Sequence, residues 1–72
     1  MKQFKITATD NNGVRVDNET NDKIEAYTIF QTYIGAYKYE KASNHFVITI
    51  YDTVNNVEVA KEEFVTGDWL EF

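Results

Sequence analysis

One histidine and 12 carboxylates are the side chains of this 72-residue chain that are best suited to acid–base or metal chemistry. His45 is the lone histidine at the start of a predicted strand, and we interpret it as an exposed or edge imidazole. Glu62 with Glu63, and Asp17 with Glu19, are candidate pairs for acid–base catalysis or a hard cation. Adjacent strand residues point to opposite faces, so Glu62 and Glu63 are not expected to converge on one ion. We interpret all four carboxylates as parts of solvated faces.

Other catalytic or cofactor motifs are not visible in the sequence. It contains no cysteine, which excludes thiol chemistry, disulfides and cysteine zinc sites. Gly13, Gly35 and Gly67 occur singly, and a turn or a helix end explains each, so no glycine-rich phosphate loop is present. We therefore expect no catalytic residue, no cofactor and no metal ligand, and the chain is predicted not to be an enzyme.

The charge balance argues against nucleic acid as a partner. The chain has 12 acidic and 7 basic residues and a net charge of −5, whereas phosphate binding needs clustered lysine and arginine. A less favoured alternative is single-stranded nucleic acid stacked on Tyr37, Tyr39 and Phe46. No apolar run approaches the ~20 residues that cross a bilayer, and no signal-peptide core follows Met1. We expect no membrane partner and a cytoplasmic location.

Seventy-two residues predict a single small domain, 1–72, whose core is held by packing alone. Aromatic side chains compensate for the small size because each buries a large apolar area. The aromatic residues expected in the core are Phe4, Phe30, Phe46, Phe64, Tyr27, Tyr37, Tyr39 and Tyr51.

Alternating polarity over residues 3–9 predicts a first strand. A three-residue loop, 11–13, pairs Ala8 with Val16 and keeps the apolar face continuous, as three-residue hairpins with a glycine do. The second strand is predicted as Val14–Asp17, followed by a polar connector.

A helix is predicted over Asp22–Ile34. Asp22 followed by Glu25 is typical of a helix cap, and Gly35 is placed for a left-handed C-terminal cap. Several residues of this segment are β-branched or aromatic, so an all-β fold is the alternative. The residues expected to face the core are Ile24, Tyr27, Phe30 and Ile34.

Period-2 patterns then predict strands around 37–39, over 45–52 and over 57–65. A bulge near Ala60 or Lys61 is needed to bring Phe64 to the apolar face. The resulting fold class is α+β, a ββαβββ order with one helix packed on a mostly antiparallel sheet. In its strand–strand–helix–strand–strand order the chain resembles the immunoglobulin-binding domains of streptococcal protein G.

Two surfaces are candidates for partner contact. Ile29 and Tyr33 form a second helical stripe beside the core stripe, unless the sheet curls far enough to cover both. Trp69, Leu70 and Phe72 lie among acids in an acidic-aromatic tail, 68–72, typical of segments that dock into basic, apolar-lined grooves. The tail is similar to the tail tip of bacterial single-stranded-DNA-binding proteins; the alternative is that Trp69 folds back onto the core.

The function that these features favour is a small acidic protein-binding module or inhibitor without catalysis, of the kind that phages and mobile elements encode. A variant is that its acids imitate the phosphates of DNA. The alternative is a structural or assembly subunit that forms a homo-oligomer, such as a homodimer, through Ile29 and Tyr33.

Deleting residues 68–72 separates the two interpretations of the tail. If the tail docks on a partner, we expect an unchanged melting temperature together with loss of partner capture, because Trp69 and Phe72 would supply the buried anchors. A large loss of thermal stability would instead show that Trp69 belongs to the core, since Trp→Ala changes in cores cost ~3–5 kcal/mol.

Overall fold

The computed structural model describes residues 2–67 and has the element order β1 (Phe4–Asp10), β2 (Gly13–Thr20), α1 (Lys23–Tyr37), β3 (His45–Asp52) and β4 (Val57–Val65). The strands form one antiparallel sheet in the order β2-β1-β3-β4, and α1 packs on β1, β2 and β3. The predicted α+β fold with one helix on an antiparallel sheet is confirmed, with four strands in the described residues where five were expected. Since β2 and β3 are both antiparallel to β1, they are parallel to each other. The helix α1 connects these two strands, which lie on either side of β1.

The first hairpin has the predicted pairing. Ala8 lies opposite Val16, and Gly13 adopts a φ of +111° at the turn. The register shifts between Ala8 and Thr9, which leaves Arg15 as the extra residue of a bulge in β2. β2 extends to Thr20, beyond the predicted end at Asp17, because its backbone continues to pair with β1 whatever the polarity of its side chains.

The helix begins as predicted but ends later. The Asp22 side chain accepts hydrogen bonds from the backbone N–H groups of Ile24 and Glu25, at 2.8 and 3.4 Å. Gly35 was expected to end the helix, yet it lies inside α1, and the C-cap is Lys38. The all-β alternative is therefore wrong.

The strand predicted around 37–39 is also wrong. Tyr37 is the last residue of α1, and its ring stacks on Phe46 with 5.0 Å between the centroids. This tertiary contact favours one more helical turn over an extended conformation. Tyr39 follows in a turn and is 67% exposed.

The second hairpin contains the bulge that the sequence required. Phe46 pairs with Phe64 and Ile50 with Ala60, while Tyr51 pairs with Glu58, so Val59 is the extra residue. The bulge lies next to the predicted position. It brings Phe64 beside Phe46, with 5.5 Å between the two ring centroids.

The core lies between α1 and the two central strands, β1 and β3. Three of the expected aromatic residues are not in it: Tyr27, Tyr39 and Tyr51 are 39%, 67% and 39% exposed. The buried apolar residues are Phe4, Ile6, Ala8, Ala26, Phe30, Phe46, Ile48 and Ile50.

The side of α1 that faces the sheet differs from the predicted one. Ala26 and Phe30 are its buried residues, whereas Ile24, expected in the core, is 79% exposed. The helix is therefore rotated by roughly one residue, ~100°, relative to the predicted orientation. Ala26 lies at the centre of the buried face, and its small side chain allows the helix to approach the sheet closely.

The loop between α1 and β3 is attached to the end of β4 through Thr66. Its buried hydroxyl accepts a hydrogen bond from the Asn44 N–H at 3.0 Å and donates to the Ala42 carbonyl at 2.7 Å. Gly67 follows with a φ of +91°, and a β-carbon there would lie 3.2 Å from Ser43 Cα. Both the backbone conformation and the close approach favour glycine at this bend.

Asp52 organises the turn between β3 and β4. Its carboxylate accepts hydrogen bonds from the Asn55 N–H at 3.0 Å, the Asn55 side-chain amide at 2.8 Å and the Val54 N–H at 3.0 Å. The Gln3 side chain donates at 3.3 Å. These donors, Asn55 first, lower the pKa of Asp52 below its ordinary value of 3.8, although burial opposes the shift.

The orientation of α1 is tested by comparing Phe30→Ala with Ile24→Ala. We expect Phe30→Ala to lower the free energy of unfolding by ~3–5 kcal/mol, because it empties a core position, and Ile24→Ala to change it by less than ~0.5 kcal/mol. Urea denaturation followed by circular dichroism measures both. A loss of ~2 kcal/mol or more for Ile24→Ala would contradict the observed orientation.

The lowered pKa of Asp52 predicts a pH-dependent contribution to stability. Because the folded-state pKa lies below the unfolded one, the ionised carboxylate stabilises the fold above pH ~4, and this contribution is lost as the pH falls through the folded value. We expect Asp52→Asn to melt at a lower temperature than the wild type at neutral pH, with a difference that shrinks in strong acid. Melting curves between pH ~7 and ~2 measure this; a constant difference would be the contrary result.

Candidate functional site

The outer face of α1, opposite the sheet, is an exposed and mostly apolar surface. It consists of Ile24, Tyr27, Thr28, Gln31, Thr32 and Gly35. Five of these residues line one open, mostly apolar surface, and Gly35 extends it toward the end of the helix.

This outer face carries no charge. The 12 residues from Ala26 to Tyr37 contain no acidic or basic side chain, in a chain in which 26% of residues are charged. The charged residues of α1 are Lys23 and Glu25 in its first turn. An exposed helix in a small domain is usually charged on its solvent side, so the composition is typical of a covered helix.

Two threonines make the outer face less polar than their residue type implies. The Thr28 hydroxyl donates to the Ile24 carbonyl at 3.1 Å, and the Thr32 hydroxyl donates to the Thr28 carbonyl at 2.8 Å. Because both hydroxyls bond to the helix backbone, the side chains present mainly their methyl groups to the outside. Ile24 and Tyr27 supply the larger apolar groups.

The open face of the sheet, on the side away from α1, is of mixed character. Lys5 lies opposite Glu19 in the β1–β2 ladder, and Lys61 lies opposite Thr49 in the β3–β4 ladder. Charges and hydroxyls are typical of a solvated antiparallel face. The same face also carries the exposed apolar side chains Val14, Tyr51 and Val65.

The stripe predicted for partner contact lies against the core. Ile29 and Tyr33 are half-buried and pack on the core cluster. Burial raises the pKa of the Tyr33 hydroxyl, and Asp17 and Tyr37 raise it further, which agrees with this position. The positions of Ile29 and Tyr33 agree with the alternative that the sheet covers this stripe. The exposed side of the helix is the neighbouring outer face.

The other residues singled out from the sequence do not assemble into a reactive centre. His45 begins β3, and its Nε2 contacts the Glu63 carboxylate, with both side chains about half exposed. Glu62 pairs with Ile48 and Glu63 with Val47, so the two carboxylates point to opposite faces, as predicted. Within residues 2–67 no three His, Asp or Glu side chains lie close enough to hold a metal ion.

One charged cluster was missed in the sequence. Arg15, the bulged residue of β2, donates to Asp10 at 2.7 Å and to Glu40 at 3.0 Å, and its guanidinium carbon lies 5.3 Å from the centre of the Tyr37 ring. It therefore links the first hairpin to the loop that follows α1. Because one guanidinium pairs with both carboxylates, the cluster holds the first hairpin and this loop together, and we refer to it as the arginine clamp.

The remaining predicted contact residues, Trp69, Leu70 and Phe72, lie outside the described residues. The outer-face residues Thr28, Gln31 and Thr32 were missed, although the uncharged stretch from Ala26 to Tyr37 is a signal that could have identified them.

The chain matches no protein-family model, no curated protein and no solved structure. In the part of the chain that the structure describes, α1 is too short and insufficiently apolar to cross a membrane.

Proposed function

We propose that this protein is a protein-binding module that acts by contact and not by catalysis, and that its contact surface is the outer face of α1. The observation that carries the proposal is the 79% exposure of Ile24 on a helix surface without charge. A surface of this kind gains free energy when a partner removes it from water.

The fold does not need this apolar surface. Ile24 contributes its backbone N–H to the Asp22 cap, whereas its side chain lies outside the core cluster. Tyr27 makes an edge-to-face contact with Phe30 at 6.4 Å and remains 39% exposed. Tyrosine is enriched among the anchors of binding surfaces, which supports Tyr27 as an anchor here, and the exposed Ile24 side chain adds apolar area beside it.

Partner capture by the variant Ile24→Glu tests the proposal. An acidic residue in the first turn of a helix favours folding through the helix dipole, while here it replaces one of the two proposed anchors of the contact with a charge. We expect Ile24→Glu to retain the wild-type melting temperature and to lose at least ~10-fold in partner affinity, equivalent to ~1.4 kcal/mol. Affinity capture from a lysate with quantitative mass spectrometry gives the readout.

Val54→Glu is the matched control. Val54 is 68% exposed, and its backbone N–H bonds to the carboxylate of Asp52, as that of Ile24 bonds to Asp22. Both variants replace an exposed apolar residue beside an aspartate cap with the same acid. Capture that falls equally in both variants, or in neither, would refute the outer face of α1 as the contact surface.

A further inference from the structure

We propose that Asn12 is a site of spontaneous modification, at which the side-chain amide is converted to a carboxylate with water as the only co-reactant. Asn12 precedes Gly13 in the turn that joins β1 to β2. The backbone nitrogen that follows an asparagine can attack its side-chain amide, and glycine hinders this attack least because it has no β-carbon. Asn12 is not part of the outer face of α1, so the inference does not depend on the proposed function.

Hydrogen bonding distinguishes Asn12 from most of the other asparagines in residues 2–67. Asn12 and Asn56 have no side-chain hydrogen bond to another of these residues. Asn56 is followed by Val57, whose branched β-carbon crowds its own backbone nitrogen. Asn12 therefore combines an unrestrained side chain with an unhindered nitrogen beside it. The asparagines whose side chains are held by hydrogen bonds are Asn11, Asn18, Asn21, Asn44 and Asn55.

The position of the turn makes the reacting atoms accessible. Asn12 and Gly13 are both exposed, and no atom lies within 4 Å of the position that a β-carbon on Gly13 would take. Gly13 lies opposite Asp10 in the last pair of the β1–β2 ladder. The end of a ladder opens at a low cost in free energy, and this opening releases the Gly13 nitrogen and lets the Asn12 side chain rotate toward it.

The reaction begins when the Gly13 nitrogen loses its proton to a solvent base and attacks Cγ of Asn12. The new N–Cγ bond closes a five-membered succinimide ring, and the Cγ–Nδ2 bond breaks with release of ammonia. Water then opens the ring. Hydrolysis at Cγ leaves an aspartate, whereas hydrolysis at the backbone carbonyl leaves an isoaspartate, in which the chain runs through the former side chain. In total, an amide and water become a carboxylate and ammonium, without oxidation or reduction.

The modification weakens the arginine clamp. The Asp10 carboxylate accepts hydrogen bonds from the Asn12 N–H at 2.8 Å and from the Arg15 side chain at 2.7 Å. Both products place a new carboxylate two residues from Asp10 and add one negative charge to a net charge of −5. The isoaspartate also inserts a methylene into the backbone between Asp10 and Arg15, which disturbs the register of the turn. The first hairpin is consequently less stable in the modified chain.

Incubation of the purified chain in mildly alkaline buffer, followed by peptide mapping with mass spectrometry, tests the site. We expect Asn12 to be converted at least ~10-fold faster than any other asparagine, a difference of ~1.4 kcal/mol in activation free energy. The rate should rise with pH because the attacking nitrogen has to lose its proton. Faster conversion of another asparagine would overturn the proposal. So would an Asn12 that reacts more than ~100-fold slower than in the urea-unfolded chain, equivalent to ~2.7 kcal/mol.

Two variants test the effect on the clamp. Asn12→Gln keeps an amide but requires a six-membered ring, which closes far more slowly, so we expect it to retain its melting temperature during the same incubation. Asn12→Asp, measured when freshly purified, carries the added charge without the added methylene. We expect the incubated wild type to melt below the fresh wild type and its isoaspartate fraction to melt below Asn12→Asp. An equal loss in incubated Asn12→Gln, or an isoaspartate fraction that melts like fresh wild type, would contradict this effect.

Discussion

The hydrophobic contact between one helix and two central strands is the interaction on which the rest of this structure depends. Ile6 of β1 and Ile48 and Ile50 of β3 are fully buried, and Ala26 and Phe30 are the buried residues of α1. Without disulfides, the chain relies on this single contact to bury its apolar surface. The edge strands, the turns and the far side of the helix are consequently exposed, and each has to be stabilised by local interactions.

Those local interactions are aspartate caps, bulges and the arginine clamp. Asp22 caps the start of α1, and the Asp52 carboxylate accepts hydrogen bonds from the backbone and side-chain N–H groups of Asn55 in the turn between β3 and β4. Each edge strand contains a bulge, at Arg15 in β2 and at Val59 in β4, and bulges of this kind twist an edge away from pairing with another chain. Both edges are therefore poorly suited to pairing with a strand of another chain.

The features predicted correctly from the sequence are those that short-range chemistry decides. The Asp22 cap, the pairing of Ala8 with Val16 and the need for a bulge before Phe64 follow from a few neighbouring residues and the period of a strand. The orientation of α1 could not be predicted in this way. Large apolar side chains lie both on the side of Ile24 and Tyr27 and on the side of Ile29 and Tyr33. A period of 3.6 therefore fits two orientations, and the buried Ala26 marks the one that the helix adopts. The extra helical turn likewise depends on the stacking of Tyr37 on Phe46, a side-chain contact between the helix end and β3 that the period of a helix or strand does not indicate.

The composition of α1 also bears on the stability of the helix itself. Thr28, Ile29, Tyr33 and Gly35 are weak helix formers, and the uncharged stretch offers no salt bridges between successive turns. The order of α1 therefore depends on tertiary packing more than on propensity, and in the isolated chain that packing reaches one side. Under the proposed function, a partner bound to the outer face would pack the second side of the same helix and would stabilise the folded state in proportion to its occupancy. Binding and folding would then act on one element, and substitutions in α1 would affect recognition, stability or both according to the side of the helix on which they lie.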